Sequence, residues 1–420
     1  MENENVKKLL CPVSSMEERL SALESLGIPE GCAGSWVNNH IHTTYSFSPY
    51  TPAAAVYYAR KAGLSTAGIM DHDSVGGIEE FIRAGEILKM PVTVGFECRT
   101  SVKGTALEGR RLNNPDQKSV AYVTLHGIPP TKIGECEAVL APLREKRNER
   151  NRKMCDRINS LVCDFGITVD FDRDVYPLSS ANKGGSVTER HVLYALTLKI
   201  AEGKSREDAV ALVDSLCGGI ADKVKDKLVC APDEYYLYDV LGVLKSSLVS
   251  KIYIDADEEL MHISDFCALA KKVGGIAAYA YLGDVGESPT GDKAAQEFED
   301  SYLDLLFDTL KALGFDAVTY MPSRNTKEQL DRVMGLCEKH GFFQISGEDI
   351  NSPRQSFVCP AMAPYTHLYS ATWALIGHEW SATENVENGM FSEKTVGEMP
   401  LLSDRIEYFA NIGKNLIKEV

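Results

Sequence analysis

Two histidines separated by one residue, His40 and His42, are the side chains of this sequence that point most directly to chemistry. They follow a strand-like run, and on an extended backbone the side chains of residues i and i+2 lie on the same face. Both imidazoles can therefore be aimed at one transition-metal ion. Because two hydrogen-bonded loop histidines give the same pattern, the interpretation depends on the residues that follow.

Histidines and carboxylates also come after several later strand-like runs. In parallel α/β barrels the functional side chains collect at the carboxyl ends of the strands, so we expect these residues to converge. Imidazole and carboxylate ligands together suit Mn, Zn or Fe, and a bound metal lowers the pKa of its water toward neutrality. Glu97 follows the third run and is the natural bridge between two metals. The candidate metal ligands are His40, His42, His72, Glu97, His126 and Asp349.

The elements that must position these residues alternate between strand and helix, which predicts a parallel α/β sheet or barrel. Strands are predicted at residues 36–40, 66–70, 91–96, 120–125, 275–281, 315–320 and 342–346. Helices are predicted at residues 15–26, 52–62, 78–88, 294–313, 326–339, 365–376 and 403–418.

Between residues 131 and 264 strand signals are sparse, and we interpret this stretch as a helical insertion into the barrel. Helices are predicted there at residues 135–165, 189–201, 206–217 and 233–247. The predicted organisation is a helical lead-in at 1–34, a barrel with C-terminal helices at 35–130 and 265–420, and a helical insertion domain at 131–264.

Composition excludes some classes of function. The chain has 420 residues with 44% hydrophobic and 25% charged content, which is typical of a globular protein in water. A net charge of −16 argues against a large nucleic-acid footprint. No apolar run reaches the roughly 18 residues that a membrane span needs, and the start lacks a signal-like core. Eleven cysteines without a C-x-x-C pair indicate reduced thiols, so we expect a cytoplasmic protein with no membrane partner.

These motifs, in this order, resemble those of the PHP family, named for polymerase and histidinol phosphatase. The resemblance covers residues 36–130 and 265–358. It implies an α/β fold, namely a distorted (β/α)7 barrel of the PHP type with a helical insertion, and up to three metals in one cleft. The segments that carry it are 39–46 (NHIHTTYS), 70–74 (MDHDS), 95–97 (GFE), 125–127 (LHG) and 347–351 (GEDIN).

The insertion resembles that of the stand-alone metal-dependent phosphoesterases of the family. In that branch an arginine-rich helix opens the insertion, as residues 144–152 (REKRNERNR) do here. A histidine later follows a Thr/Arg pair, as in residues 188–191 (TERH).

Three positions depart from the family pattern. Phe47 stands where the family has an aspartate, and Tyr279 and Asn351 stand where it has histidines. Phenylalanine cannot bind a metal, and the neutral amide oxygen of asparagine is a weak ligand. Whether the Tyr279 hydroxyl contributes is left open.

The departures change the metal complement that the resemblance implies. The second metal position keeps Glu97 and His126 but loses its histidine, and the third keeps only His72. We therefore expect one firmly held divalent metal (Mn, Zn or Fe), leave a second open and expect no third. The ligands of the first position are all present: His40, His42, Glu97 and Asp349.

A phosphorylated substrate also needs cations and proton carriers. Arg147, Arg150 and Arg157 fall near one face of the insertion helix. Guanidinium groups suit phosphate oxygens, although a solvated face with glutamate partners explains the spacing equally. The candidate substrate-binding residues are Arg147, Arg150, His191, Arg324 and Arg354. The candidate proton carriers, among which the sequence does not choose, are Asp71, Asp73, Glu348 and Tyr279.

Three functions fit these observations. The first is metal-dependent hydrolysis of a phosphoester in a small molecule or nucleotide, with a small phosphorylated substrate as the partner. The second is a PHP-like pseudoenzyme that binds a ligand or partner with reduced metal content. The third is carbon–nitrogen hydrolysis by an amidohydrolase-like barrel; such barrels generally bridge their metals with a lysine, and no suitable lysine follows a predicted strand. The sequence does not specify the oligomeric state.

Overall fold

The computed structural model describes residues 2–30, 34–285 and 296–416. The strands are β1 (Trp36–Ile41), β2 (Leu64–His72), β3 (Val92–Ser101), β4 (Val120–His126), β5 (Met261–His262), β6 (Ile276–Ala280), β7 (Ala317–Tyr320) and β8 (Phe343–Ser346). The helices are α1 (Glu2–Leu10), α2 (Met16–Leu26), α3 (Pro52–Lys61), α4 (Ile78–Ile87), α5 (Ile133–Val162), α6 (Glu189–Ala201), α7 (Arg206–Cys217), α8 (Asp222–Val229), α9 (Asp233–Ile252), α10 (Ile263–Val273), α11 (Leu303–Leu313), α12 (Lys327–His340), α13 (Thr366–Glu384), α14 (Glu393–Glu398) and α15 (Leu402–Leu416).

Seven of the strands form a nearly closed barrel. They hydrogen-bond in the order β1-β2-β3-β4-β6-β7-β8, while the two-residue β5 pairs with the far end of β3. The two edges meet where the amide of His42 donates to the Ile350 carbonyl at 3.1 Å and the amide of Ile350 donates to the His40 carbonyl at 3.2 Å. The distorted (β/α)7 barrel predicted from the sequence is therefore confirmed.

The expectation of an all-parallel sheet was wrong at β4. This strand runs antiparallel to both neighbours, β3 and β6, because the connection over residues 102–119 returns the chain without a crossover helix. Its carboxyl end therefore lies beside the amino ends of its neighbours, where His126 pairs with Gly95 and Ile276. His126 still shares the inner face with Glu97, because Glu97 pairs with Thr124, two residues earlier on β4.

Helix α13 closes the barrel at the amino ends of its parallel strands. Its residues Ala374 and Leu375 pack with inward-facing strand residues such as Ala278 and Ala317 in one apolar cluster. The inside of the barrel is therefore a packed core at this end, which we call the floor. The opposite end, where β1, β2 and β8 finish, we call the mouth.

The insertion has a hydrophobic core of its own, built from α5 to α9, and Phe47 of the barrel packs into it. Within the residues described, we find no helix whose length and apolar character would let it cross a bilayer.

Most predicted elements form within a few residues of their predicted bounds, but the helix predicted at 294–313 begins only at Leu303. Residues 294 and 295 lie outside the described residues. Before α11, Glu299 accepts a hydrogen bond from the Leu282 amide at 2.8 Å, and Asp300 accepts one from the Tyr281 hydroxyl at 2.6 Å. Glu299 and Asp300 thus accept hydrogen bonds from the segment that follows β6. These side-chain bonds hold residues 299 and 300 outside α11. Short elements without a clear periodic pattern were not predicted: α1, α8, α14 and β5. The 11-residue α10 was also missed, although it is as long as α2.

Candidate metal centre and adjoining cavity

The histidine pair and the last predicted ligand meet at the mouth of the barrel. His40 belongs to β1, His42 follows it, and Asp349 follows β8. His42 Nε2 lies 3.1 Å from Asp349 Oδ1. His40, His42 and Asp349 each offer a ligand atom within 4.8 Å of the others, which is close enough for one ion.

A second group of three shares His42 with the first. His72, at the end of β2, lies with Nδ1 2.9 Å from Glu97 Oε2. His40 Nε2 lies 3.9 Å from the same carboxylate oxygen. His42, His72 and Glu97 again offer ligand atoms within 4.8 Å of one another. The five side chains therefore form one continuous set of nitrogen and oxygen ligands.

Local sequence explains why Asp349 can reach this set. A Cβ atom on Gly347 would lie 2.6 Å from the backbone nitrogen of His40, so only glycine lets the end of β8 approach β1 this closely. The side chains of the next two residues point in different directions. Asp349 faces His42, whereas Glu348 turns away and accepts a hydrogen bond from the Ser323 hydroxyl at 2.5 Å.

Asp71 supports the ligand set from behind. Its carboxylate accepts hydrogen bonds of 2.6 Å from the amide and hydroxyl of Thr43 and from the Ser46 hydroxyl. The Ser46 oxygen in turn lies 3.2 Å from His42 Nδ1. Asp71 thus fixes the orientation of the His42 ring through Ser46, an arrangement that commonly supports metal-binding histidines.

Burial and ion pairing set the charge of the ligands. Burial lowers the pKa of His40, and it lowers the pKa of His72 to about 3. Burial would also lower the pKa of His42, but the neighbouring Asp349 carboxylate outweighs it and raises that pKa. Burial raises the pKa of Glu97. Neutral imidazoles are the form that binds metals, so His40 and His72 need lose no proton on binding.

His126 lies deeper in the barrel and outside both groups of three. Burial lowers its pKa to about 3, and among the described residues its Nε2 atom has no hydrogen-bond partner. A buried imidazole nitrogen without a partner is costly unless something binds it. Together with the mixed nitrogen and oxygen ligands, this unpaired atom fits a site for Zn, Mn or Fe.

The three departures from the family pattern lie in different surroundings. The Phe47 ring packs edge-on against His191 at 5.0 Å between centroids, within the insertion core. The Asn351 amide donates to Asp349 Oδ1 at 2.5 Å, so it contacts a candidate ligand. Tyr279 pairs with Val123 and so lies on the outer face of the sheet, opposite to Glu97. Burial raises the pKa of Tyr279 well above its usual range.

An ion-pair network joins the insertion to the barrel. Arg147 pairs with Asp73, and its Nε lies 3.4 Å from Glu259. Arg150 Nε donates to Glu259 at 2.7 Å, and its Nη2 pairs with Glu189. The guanidinium groups of Arg147 and Arg150 are thus occupied by carboxylates of the protein, and so is the Asp73 carboxylate. The ion-pair network comprises Arg99, Arg147, Arg150, Asp73, Glu189 and Glu259.

The remaining predicted substrate-binding residues are not brought together. His191 is buried, and its Nδ1 accepts from the Thr188 amide at 3.0 Å, which caps α6. Arg354 forms a two-pronged ion pair with Asp239 on α9, at 2.6 and 2.7 Å. Arg324 is half-buried within electrostatic range of Asp349, and among the described residues its Nε has no hydrogen-bond partner.

A cavity of about 100 Å³ adjoins the ligand set and contains cations that the sequence analysis missed. His72 and Asn351 line it on the side of the ligands, and Arg190 and Lys245 line it from the insertion. Arg190 follows Glu189 in the segment TERH, and Lys245 lies within α9. No sequence pattern distinguishes these two residues from ordinary surface cations, because their position depends on how α6 and α9 pack.

The fold is similar to those of solved structures. A protein from Bifidobacterium adolescentis assigned as a metal-dependent phosphoesterase has 18% identity and a TM-score of 0.51, over 79% of this chain and 96% of its own. An amidohydrolase from Chromobacterium violaceum, with bound sulfate and no metal, has 18% identity and a TM-score of 0.52, over 80% of this chain and 97% of its own. No protein-family profile and no curated sequence matches the chain. At 18% identity these similarities show that the fold is shared, and they show nothing more.

Proposed function

We propose that this protein is a PHP-like, metal-dependent hydrolase that cleaves a phosphoester in a small molecule or nucleotide. One observation carries the proposal: five ligand side chains from β1, β2, β3 and the loop after β8 converge beside a cavity that is lined by cations. The five ligand side chains suit a divalent metal, and the cation-lined cavity suits an anionic substrate. The two similar structures, a phosphoesterase and an amidohydrolase, agree with hydrolytic chemistry for the fold.

The shared histidine limits the number of metals. His42 belongs to both groups of three, and its Nδ1 faces Ser46, so only Nε2 is free to bind an ion. One imidazole nitrogen binds one metal, and the two groups therefore cannot be filled together through His42. We infer one firmly held divalent metal, with a second dependent on Glu97 and His126.

The residues of the chain have distinct roles in this proposal. His40, His42 and Asp349 would hold the divalent metal, which would supply Lewis-acid polarisation of a phosphoryl oxygen. Asp71 keeps the His42 ring in place through Ser46. Cationic side chains on the opposite wall of the cavity neutralise charge on the non-bridging phosphoryl oxygens, where it accumulates during hydrolysis.

The described geometry leaves none of the four proton carriers suggested by the sequence free to act on a substrate. Asp73 is paired with Arg147, Glu348 is bonded to Ser323, and Tyr279 is on the outer face of the sheet. Asp71 is bonded to three donors behind the ligands. Water or a group of the substrate is left to carry the proton.

The pseudoenzyme alternative rests on Phe47, Tyr279 and Asn351, which leave the third metal position of the family with only His72 and the second without its histidine. It differs from our proposal in its expected metal content. Carbon–nitrogen hydrolysis is the other alternative, since one similar structure is an amidohydrolase. It differs in the bond that is cleaved.

The experiment loads the purified protein with Mn, Zn or Fe, measures metal per chain by elemental analysis, and follows product release. The panel contains small phosphomonoesters, nucleotides, phosphodiesters and amides, and the metal-free protein and Asp349→Ala are the controls. We expect close to one metal per chain and metal-dependent release of phosphate that the variant lacks. Full metal loading without phosphate release would reject the proposal, and metal content well below one per chain would favour the pseudoenzyme.

A further inference from the structure

Two cationic side chains in the cavity have no counter-charge bound to them. Arg190, in the first turn of α6, and Lys245, on α9, both line the cavity. Neither side chain forms a hydrogen bond or an ion pair with any residue in the ranges 2–30, 34–285 and 296–416. Arg147 lines the same cavity but is paired with Asp73 and Glu259. The unpaired cations are therefore a separate feature from the ion-pair network.

The two cations also crowd each other. The Arg190 guanidinium lowers the pKa of Lys245 to about 8, although nearby carboxylates such as Asp116 oppose this. Two like charges held together cost free energy that a protein can recover by binding an anion between them. Arg190 is also within electrostatic range of Glu97 and Asp349, so an anion bound by this cation would lie close to the candidate metal ligands.

The end of α6 reinforces the attraction for an anion. Thr188, Glu189 and Arg190 all line the cavity, so the amino end of this 13-residue helix borders it. The positive end of a helix dipole favours negative charge nearby. Glu189 does not oppose this effect strongly, because Arg99 and Arg150 both pair with its carboxylate.

We propose that Arg190 and Lys245 form a subsite for the dianionic phosphate of a phosphomonoester, and that Arg147 and Arg150 do not contact it. The inference rests on the proposed function and names its substrate class. A phosphomonoester carries close to two negative charges at neutral pH, which matches two unpaired cations, whereas a diester carries one. The cavity of about 100 Å³ has room for the phosphate group.

The test measures binding of inorganic phosphate by calorimetry, with and without bound metal, to the wild type and to Arg190→Met and Lys245→Met. Removing one charged hydrogen-bonding partner is expected to weaken phosphate binding by about 10- to 100-fold. Lys251→Met is the matched control, since Lys251 is exposed on the same helix and does not line the cavity; its phosphate affinity should equal that of the wild type. Arg190→Lys, which keeps the charge, should recover part of the loss.

A second measurement compares hydrolysis of a small alkyl phosphomonoester with that of its methyl diester. The wild type should prefer the monoester, and the two methionine variants should raise KM for the monoester more than for the diester. Unchanged phosphate affinity in Arg190→Met and Lys245→Met, or equal turnover of monoester and diester, would overturn the subsite. Phosphate binding that depends on both cations in a protein without hydrolysis would support the subsite and reject the proposed function instead.

Discussion

The two ends of the barrel use the same residue types in opposite ways. At the mouth, His42 and Asp349 lie 3.1 Å apart and each favours the charged form of the other. At the floor, burial lowers the pKa of His378 to about 4 and raises the pKa of Glu379 to about 8. These two α13 residues are hydrogen-bonded to backbone amides, of Met390 for His378 and of Val94 for Glu379, both at 2.9 Å.

The difference shows that residue type alone does not identify a functional site. A buried histidine or glutamate without an opposite charge nearby stays neutral and serves as a hydrogen-bonding group for the backbone. The same residues become candidate ligands where several strand ends bring imidazoles and carboxylates together. The contrast between mouth and floor therefore predicts separate effects on metal binding and on folding stability.

The largest effect is expected for a ligand at the mouth. Asp349→Ala should weaken binding of the divalent metal by about 100-fold or more, since loss of a direct ligand exceeds the 10- to 100-fold cost of losing a supporting group. Metal affinity is measured by competition with a chelator. Glu348→Ala is the matched control, because the neighbouring carboxylate bonds to Ser323 instead, and its metal affinity should be unchanged. Equal losses in both variants would contradict the assignment of Asp349.

The next largest effect is on stability, at the ion-pair network of the mouth. Glu259 contacts Arg99, Arg147 and Arg150, so Glu259→Ala leaves buried positive charge uncompensated. We expect a loss of about 3–5 kcal/mol in the free energy of unfolding, measured with urea. Glu258→Ala removes only an exposed ion pair with Lys146 and should cost about 1 kcal/mol or less. A cost for Glu259→Ala no greater than this control would show that the network is dispensable.

The floor is expected to give an effect of pH on the free energy of unfolding. The pKa of Glu379 is about 8 in the folded protein and ordinarily near 4.5, so the folded state holds one more proton between these values. The contribution of Glu379 to the free energy of unfolding therefore falls as pH rises, by up to about 1.4 kcal/mol per pH unit. His378 acts in the opposite direction, but only between pH 4 and its ordinary value of 6.5.

The clearest window for this effect is consequently pH 6.5 to 8. Glu379→Gln should abolish the part of this fall that comes from Glu379. The free energy of unfolding of the wild type and of the variant is measured by urea denaturation at each pH, and the two are compared. Glu384→Gln, at an exposed position on the same helix, should leave the fall unchanged. Parallel curves for the wild type and Glu379→Gln across this window would mean that Glu379 is not protonated in the folded state.

The smallest effect is expected for an unpaired cation at the mouth. Lys245→Met removes no hydrogen bond to a described residue and relieves repulsion from Arg190, so stability should change by no more than about 0.5 kcal/mol. Thermal unfolding in buffer without phosphate gives the measurement. A loss above about 2 kcal/mol would indicate an unrecognised structural role and would weaken the distinction between this cation and the ion-pair network.

Much of the fold was predictable because its signals are local. The N-cap at Thr51, which accepts from the Ala54 amide at 3.2 Å, and the bounds of α6 and α7 follow from residues within one or two helical turns. The direction of β4 was not predictable in this way, because a strand carries the same alternating pattern in either direction. Tyr279 illustrates the same limit, since the pattern does not say which face of β6 points inward.

The sequence by itself determined which ligand types the chain carries and their order along alternating strands and helices, because periodicity and motif spacing are properties of neighbouring residues. Only the tertiary structure decided which charged groups are free. Arg147 and Arg150 find carboxylates on other elements, whereas Arg190 and Lys245 do not among the described residues. Such pairing depends on contacts between segments far apart in the chain, and helical spacing carries no information about those contacts.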